Sequence, residues 1–374
     1  MPERRRSKPG RAGLTRPEFR RELNKPRFPP LGDGMNGDEN RVVEDRKFIY
    51  IPNLDAPEME TLVNTATLTQ RDAVLNLFHH HIHLSPLIEV QIPCTGFRAF
   101  NLYMHLPYFV LREHMDLHRD PRVRRNGTPL RGSWTVRCIN ATPTCLYDAQ
   151  ASVAVFGIEE RIWTAIGTMD TFFEPPGSRH SVKHHHDRRK TSRDRQDPIS
   201  GRMYPQGGAQ NSELSSFSDP RKYFLALLEQ WMRIIVVPEY RVIVRKMQEA
   251  ATETDDSKPH GRQMRELSKR NDDFLEHLPM IIDRISETLD AWDTFKDEDI
   301  EYFTEKSKNR YLKNARGSFR KLNQYREKLQ NLESAAKAKN KAVRPPPRAT
   351  NPEVSEDVSP RLQLKPTHPQ RIRT

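Results

Sequence analysis

Apolar residues recur along this chain with two different periods, and the shift from one to the other falls near residue 220. Before it, the pattern is mostly that of strands. The run Lys47-Phe-Ile-Tyr-Ile51 reads as a short strand, and residues 69–81 read as a helix with Val74, Leu77, Phe78 and His81 on one face. Strand composition follows at 87–92, 97–106 and 134–139, punctuated by Pro93, Gly96, Pro107 and Gly132. Residues 145–158, rich in small and β-branched side chains, fit a buried strand. The next segment, 161–173, carries Ile162, Trp163, Ile166, Met169, Phe172 and Phe173, a spacing open to either a buried strand or a short helix. Ser218-Asp219-Pro220 is a helix start, a cap followed by proline in the first turn. The helix it opens carries Tyr223, Phe224, Leu227, Leu228, Trp231, Ile234 and Ile235, and Pro238 is expected to kink or end it.

After a polar linker at 251–263 the period becomes that of a heptad. Leu278, Ile282, Ile285, Leu289 and Trp292 alternate spacings of four and three, the seam of a coiled coil or bundle. A second block runs Leu312, Ala315, Phe319, Leu322, Tyr325, Leu329, Leu332; residues 298–308 between the blocks are either a turn or an irregular patch in one long helix. The seam fades from Ala335, and Pro345-Pro346-Pro347 stops any helix. The expected fold is therefore α+β, a mixed α/β sandwich followed by long antiparallel or stalk-like helices, with disordered basic tails. Its parts are an arm at 1–43, the α/β domain at 44–250 with a low-complexity insertion at 174–216, a helical region at 251–335 and a tail at 336–374.

Composition explains the tails. Only 35% of the chain is hydrophobic, 30% is charged and there are 29 prolines, too little apolar surface to order every residue. The net charge is +12, yet residues 1–30, 179–202 and 334–374 carry +7, +5 and +6, so the remainder is mildly acidic. Basic tails of this kind attract nucleic acid through counterion release. Cys94, Cys138 and Cys145 have no CxxC spacing and build neither a disulfide framework nor a zinc knuckle. The arginine-rich N-terminus lacks the apolar stretch of a signal peptide. No run approaches the twenty or so apolar residues a membrane helix needs. A reducing compartment, cytosol or nucleus, is expected.

Few residues carry chemistry on their spacing alone. His79, His80, His81 and His83 cluster, but neighbours on a helix point about 100° apart, so at most two share an ion. His184–His186 lie in the insertion, and His114, His118 and Asp120 lack the glutamate of a metalloprotease motif. Asp290, Asp293 and Asp297 fall on one helical face, an oxygen-rich surface suited to weak binding of hydrated Mg²⁺ or to plain solvation. No Ser/His/Asp set or phosphate-binding loop is visible, so no enzyme and no resident cofactor are expected.

The order of landmarks resembles the soluble part of fungal CorA-like, magnesium/zinc transporter-like proteins. The matching pieces are His105-Leu-Pro-Tyr-Phe-Val-Leu-Arg112, Tyr147-Asp-Ala-Gln-Ala-Ser-Val-Ala-Val-Phe-Gly-Ile158, Ile162-Trp-Thr-Ala165 through Asp170-Thr-Phe-Phe173, and Asp219-Pro-Arg-Lys-Tyr-Phe-Leu225. The helical region ending at Phe319, Leu322, Leu329 and Leu332 completes them. The resemblance implies an α/β cytosolic domain and a helical stalk leading into two membrane helices. Here the stalk continues into the lysine-rich stretch from Ala335 instead, and Gly34-Met35-Asn36, a tripeptide of the CorA pore mouth, lies in the polar arm. The expectation is a truncated or regulatory relative of a divalent metal-ion transporter that moves no ions itself. It would associate with itself or with a full-length CorA-like relative through Leu278, Ile282, Ile285, Leu289, Trp292, Phe319, Leu322 and Leu329. The alternative is a nucleic-acid-associated protein acting through its basic tails.

Overall fold

The computed structural model describes residues 14–25, 46–92, 99–113, 117–136, 144–158, 162–174, 219–256, 262–303 and 309–343, with the backbone alone at 252–275 and from 339 onward. Most of the arm, the insertion and the tail lie outside these residues, as do Cys94, Cys138, His114, the run His184–His186 and Gly34-Met35-Asn36. The chain divides into two compact units, Met1–Ala336 and Lys337–Thr374, and the sheet with the core around it belongs to the first.

Six strands form one mixed sheet: β1 (Arg46–Pro52), β2 (Leu87–Gln91), β3 (Ala99–Glu113), β4 (Ser133–Val136), β5 (Thr144–Ile158) and β6 (Ile162–Met169). Their order is β1-β6-β5-β3-β2, and β4 pairs with β5 on the side that β6 leaves uncovered. All pairings are antiparallel except that of β1 with β6. The segment left open between strand and helix is thus strand β6. The frame is the ladder of β3 with β5, fifteen residues long on each side.

Side-chain alternation sorts the two faces of this sheet. Tyr103, Ala154, Phe156 and Ile166 point to one side, where helices α2 (Ala56–Thr65) and α3 (Leu68–His83) cover them with Leu62, Val74, Leu77 and Phe78. Leu102, Met104, Val153, Val155, Trp163 and Ala165 point to the other. There they meet α4 (Pro220–Trp231), α5 (Val237–Asp256), α6 (Arg262–Glu298) and α7 (Arg310–Val343). Helix–sheet–helix layering is the sandwich expected of the sequence, and the long helices follow it.

Local chemistry sets the boundaries. Asp219 caps α4 by accepting from the Arg221 N–H at 2.9 Å, with Pro220 in the first turn. Asp55 and Glu58 form a reciprocal capping box that starts α2. Helix α1 (Arg16–Leu23), inside the segment expected to be disordered, uses Thr15 and Glu18 in the same way and is held to α2 by Arg16 on Asp55 at 2.7 Å.

Two prolines sit inside elements rather than at their ends. Pro107 sits within β3 opposite Gln150. Its missing N–H does no harm there, because β2 has already ended its pairing at His105 and, among the described residues, no strand pairs with that side of β3 beyond it. Pro238 does not end its helix. A five-residue π turn, Met232–Val236, widens the helix just before it, with the Val237 N–H reaching Met232 O, and α5 then continues. The linker expected at 251–263 is correspondingly short: α5 runs to Asp256 and α6 begins at Arg262. Of the break at 298–308, residues 304–308 lie outside the described residues. Helix α6 stops at Glu298, a 3-10 turn spans Ile300–Phe303, and α7 starts at Arg310.

The expected association seam is buried inside the chain. Leu278, Ile282, Ile285, Leu289, Trp292, Phe319, Leu322 and Leu329 are all 7% exposed or less and belong to the same core as the sheet. Trp292 stacks on Phe319 with ring centres 4.2 Å apart. Helix α6 lies on β2, β3 and β4, so its apolar stripe covers strands of the same chain.

Candidate functional site

The face of the sheet beneath α3 is not wholly apolar. Where α3 ends, strands β3, β5 and β6 turn polar side chains inward: His105, Ser152 with Gln150, and Thr168 followed by Asp170. Helix α3 supplies His81 from its buried stripe, four residues after Leu77. The loop before β4 adds Asp120, Arg122 and Arg131. His81, His105, Ser152 and Asp170 are each 0% exposed and Arg131 is 1%.

Asp170 is the hub. Its carboxylate accepts from Arg131 Nε at 2.6 Å and from the Gln150 N–H at 2.9 Å, and lies 2.8 Å from the Arg122 guanidinium. Arg122 is shared with Asp120 at 2.7 Å, while Arg131 also donates to the carbonyls of His81 and Ile82, closing the C-terminal turn of α3. Burial alone would push the Asp170 carboxyl up; Arg131, His81 and Arg122 overcome it and hold the group well below the usual carboxylate range.

From Asp170 a chain of polar atoms runs inward. His81 Nε2 lies 3.5 Å from Asp170 Oδ1, and His81 Nδ1 is 3.0 Å from Ser152 Oγ. Ser152 Oγ is also 3.0 Å from His105 Nδ1. A hydroxyl has one proton to donate, so it donates to one imidazole and accepts from the other. With the His81 proton on Nε2, facing the carboxylate, Ser152 donates to His81 Nδ1 and accepts from the His105 Nδ1–H. The His80 ring stacks on His105 at 4.9 Å, and Gln150 Nε2 donates to the His80 carbonyl at 3.1 Å. Burial depresses the basicity of both sealed rings, and His105, with His80 and His81 beside it, is held well below the ordinary histidine range.

Ser152, His81 and Asp170 thus form a serine–histidine–carboxylate set that sequence reading did not find. Asp170 and Ser152 lie 89 and 71 residues from His81, and only the pairing of β5 with β6 beneath α3 brings them together. The available signal was the interruption of apolar strands by polar residues, His105 in β3 and Gln150 and Ser152 in β5. Its chemistry differs from that of a nucleophilic triad in two ways. Two guanidinium groups already neutralise the carboxylate, which weakens its support for an imidazolium, and the hydroxyl is sealed from solvent. What the set does is order the interface between α3, the sheet and the loop before β4.

A second ionic clamp lies at the far end of β3. Arg112 forks between Glu174 and Glu239, each at 2.7 Å, and sits over the Phe173 ring at 5.4 Å, tying the sheet to α5.

The sequence-derived metal candidates are elsewhere. Asp290, Asp293 and Asp297 are exposed on the outer face of α6, and Asp293 pairs with Lys296 at 2.6 Å. Among the described residues no group of three or more His, Cys, Asp or Glu converges to hold a metal ion. His118 places its backbone N–H on the Tyr147 hydroxyl at 3.2 Å, and Asp120 is turned to Arg122. Cys145 is buried as a free thiol in β5. Among the described residues no helix is long and apolar enough to cross a membrane.

No protein-family model matches the chain. No curated protein matches it either. Among solved structures, that of the full-length CmaX protein is similar over 79% of this chain and 68% of that chain, at 12% identity and a TM-score of 0.29. At that score the likeness assigns no residue and no activity.

The two sealed imidazoles make stability depend on pH with a definite sign. Their folded-state pKa values lie below the ordinary ~6.5, so below that pH the unfolded chain binds more protons and stability falls on acidification. Each ring contributes about 1.4 kcal/mol per pH unit in that window. Asp148, pushed up to about 6 by burial, and Glu58, pushed up to about 7 by burial, act in the opposite sense below those values, and each offsets one ring there. Urea unfolding at pH 7.5 and 5.5 is expected to give a difference in midpoint that His105→Gln shifts in favour of pH 5.5. An unchanged difference in the variant would refute the assignment.

Proposed function

We propose that this chain is a non-enzymatic relative of the soluble part of CorA-like, divalent metal-ion transporter-related proteins, acting by helix-mediated association rather than by moving ions. The observation that carries this reading is the distribution of chemistry across the fold. Its catalytic-type side chains are sealed and neutralised beneath α3, whereas α6 and α7 present long, highly charged surfaces outward. The sequence landmarks shared with the CorA-like proteins support it, since they fall on β3, β5 and β6 and on the helices laid over them. Weak binding of hydrated Mg²⁺ along Asp290, Asp293 and Asp297 belongs to the same reading.

Light scattering on the eluting full-length chain tests it. A mass above that of the 43.7 kDa monomer at micromolar concentration is expected, with no stoichiometric metal after dialysis. A strict monomer at low and physiological salt would sink the reading. The rival role, nucleic-acid binding through the basic tails, predicts a monomer whose affinity for a DNA duplex collapses as salt rises.

A further inference from the structure

We propose that copies of this chain associate by laying the acidic outer face of α6 in one against the basic outer face of α7 in another. The inference rests on the reading that the chain works by association, and it names the surface and the partner.

Both helices spend their apolar sides inside the chain, which leaves their polar sides outward. Between residues 276 and 298, α6 carries seven acids against two bases, a net of −5. At 100° per residue, Asp283, Glu287, Asp290, Asp297 and Glu298 fall within one arc of about 100°, and all are exposed. Two of the acids on this helix are engaged locally, Glu287 with Arg284 at 3.1 Å and Asp293 with Lys296 at 2.6 Å. Between 310 and 333, α7 carries seven bases against two acids, a net of +5. Lys313, Arg316, Arg320, Lys321 and Lys328 occupy its exposed arc. The two faces are therefore equal and opposite, and each runs for about 23 Å along its axis at 1.5 Å per residue.

Charge complementarity favours a second copy over a polyanion. The Trp292–Phe319 stack makes α6 and α7 neighbours, and packed helices lie 8–10 Å apart, about one Debye length at physiological salt. A phosphate backbone approaching α7 would still feel part of the repulsion of the acidic α6. A second copy meets the opposite: a two-fold arrangement sets each acidic helix on the partner's basic one, so both pairings form together. Individually such exposed pairs contribute little, which makes the association weak and strongly dependent on salt.

Charge reversal tests it by sedimentation of the full chain. One variant carries Asp283→Lys, Asp290→Lys and Asp297→Lys; the other carries Lys313→Glu, Arg320→Glu and Lys328→Glu. Wild type is expected to associate at 50 mM NaCl, with Kd rising at least tenfold at 500 mM. Each variant alone is expected to sediment as a monomer, and an equimolar mixture to regain association, because each then offers what the other lacks. If either variant fails to fold, judged by far-UV circular dichroism, the neutral versions with Asn and Gln replace it and are expected to weaken association at least tenfold. Variants that associate as wild type does, or a mixture that stays monomeric, overturn this interface while leaving association by another surface standing. A wild-type monomer at 50 mM NaCl overturns both this proposal and the reading beneath it. Loss of DNA-duplex binding in the second variant, from a wild type that never self-associates, would assign the basic face to polyanions.

Discussion

Asp170→Ala is expected to cost the fold about 3–5 kcal/mol, the range found when one partner of a buried ion pair is removed. The reason is the charge it strands. Arg131 is fully enclosed and Arg122 nearly so, and the carboxylate that balances them also accepts the Gln150 N–H. Truncation leaves the Arg131 guanidinium without its countercharge, and its Nε and the Gln150 N–H without an acceptor. Asp170→Asn keeps the shape and one acceptor but removes the charge, so its loss should be smaller. Denaturant titration measures both, and an alanine variant within about 1 kcal/mol of wild type would show that the cluster is not a structural hub. A double variant with Arg131→Met should lose less than the two single losses combined, because the second change removes the charge the first one strands.

Trp292→Ala carries a comparable expectation, a loss of about 3–5 kcal/mol from lost transfer energy and a residual cavity. Trp292 is 4% exposed, nearly parallel to Phe319 at 8°, and 5.6 Å from the Phe295 ring. The substitution also separates two uses of the heptad pattern. Packing within the chain predicts a lower melting temperature whatever the protein concentration. A joint between chains predicts unchanged monomer stability with reduced mass in light scattering, and that result would return the seam to an intermolecular role.

That ambiguity shows where sequence reading stops. The spacing of Leu278, Ile282, Ile285, Leu289 and Trp292 says that one side of a helix is buried, but not what buries it. Here strands β2, β3 and β4 do so. The faces of α3 and the small, β-branched run of β5 were legible because each is fixed by its own neighbours in sequence. Pro107 was misjudged because the harm a proline does in a strand depends on whether a partner strand is present, which is a tertiary fact. Helix α2 could have been found from Asp55-Ala-Pro-Glu58, a capping box with proline in the first turn. The polar cluster could not, since its members come from separate elements and carry no common spacing.

The parallel pairing of β1 with β6 has a consequence for how the chain is made. Arg46 lies opposite Trp163, 117 residues later in the sequence. At a synthesis rate of about 5–20 residues per second, β1 leaves the ribosome roughly 6–23 s before its partner strand β6 exists. The β3–β5 ladder can close during that interval, while Phe48, Tyr50 and Ile51 wait as an apolar strand with both edges open. During synthesis, this segment is where a chaperone would be expected to bind.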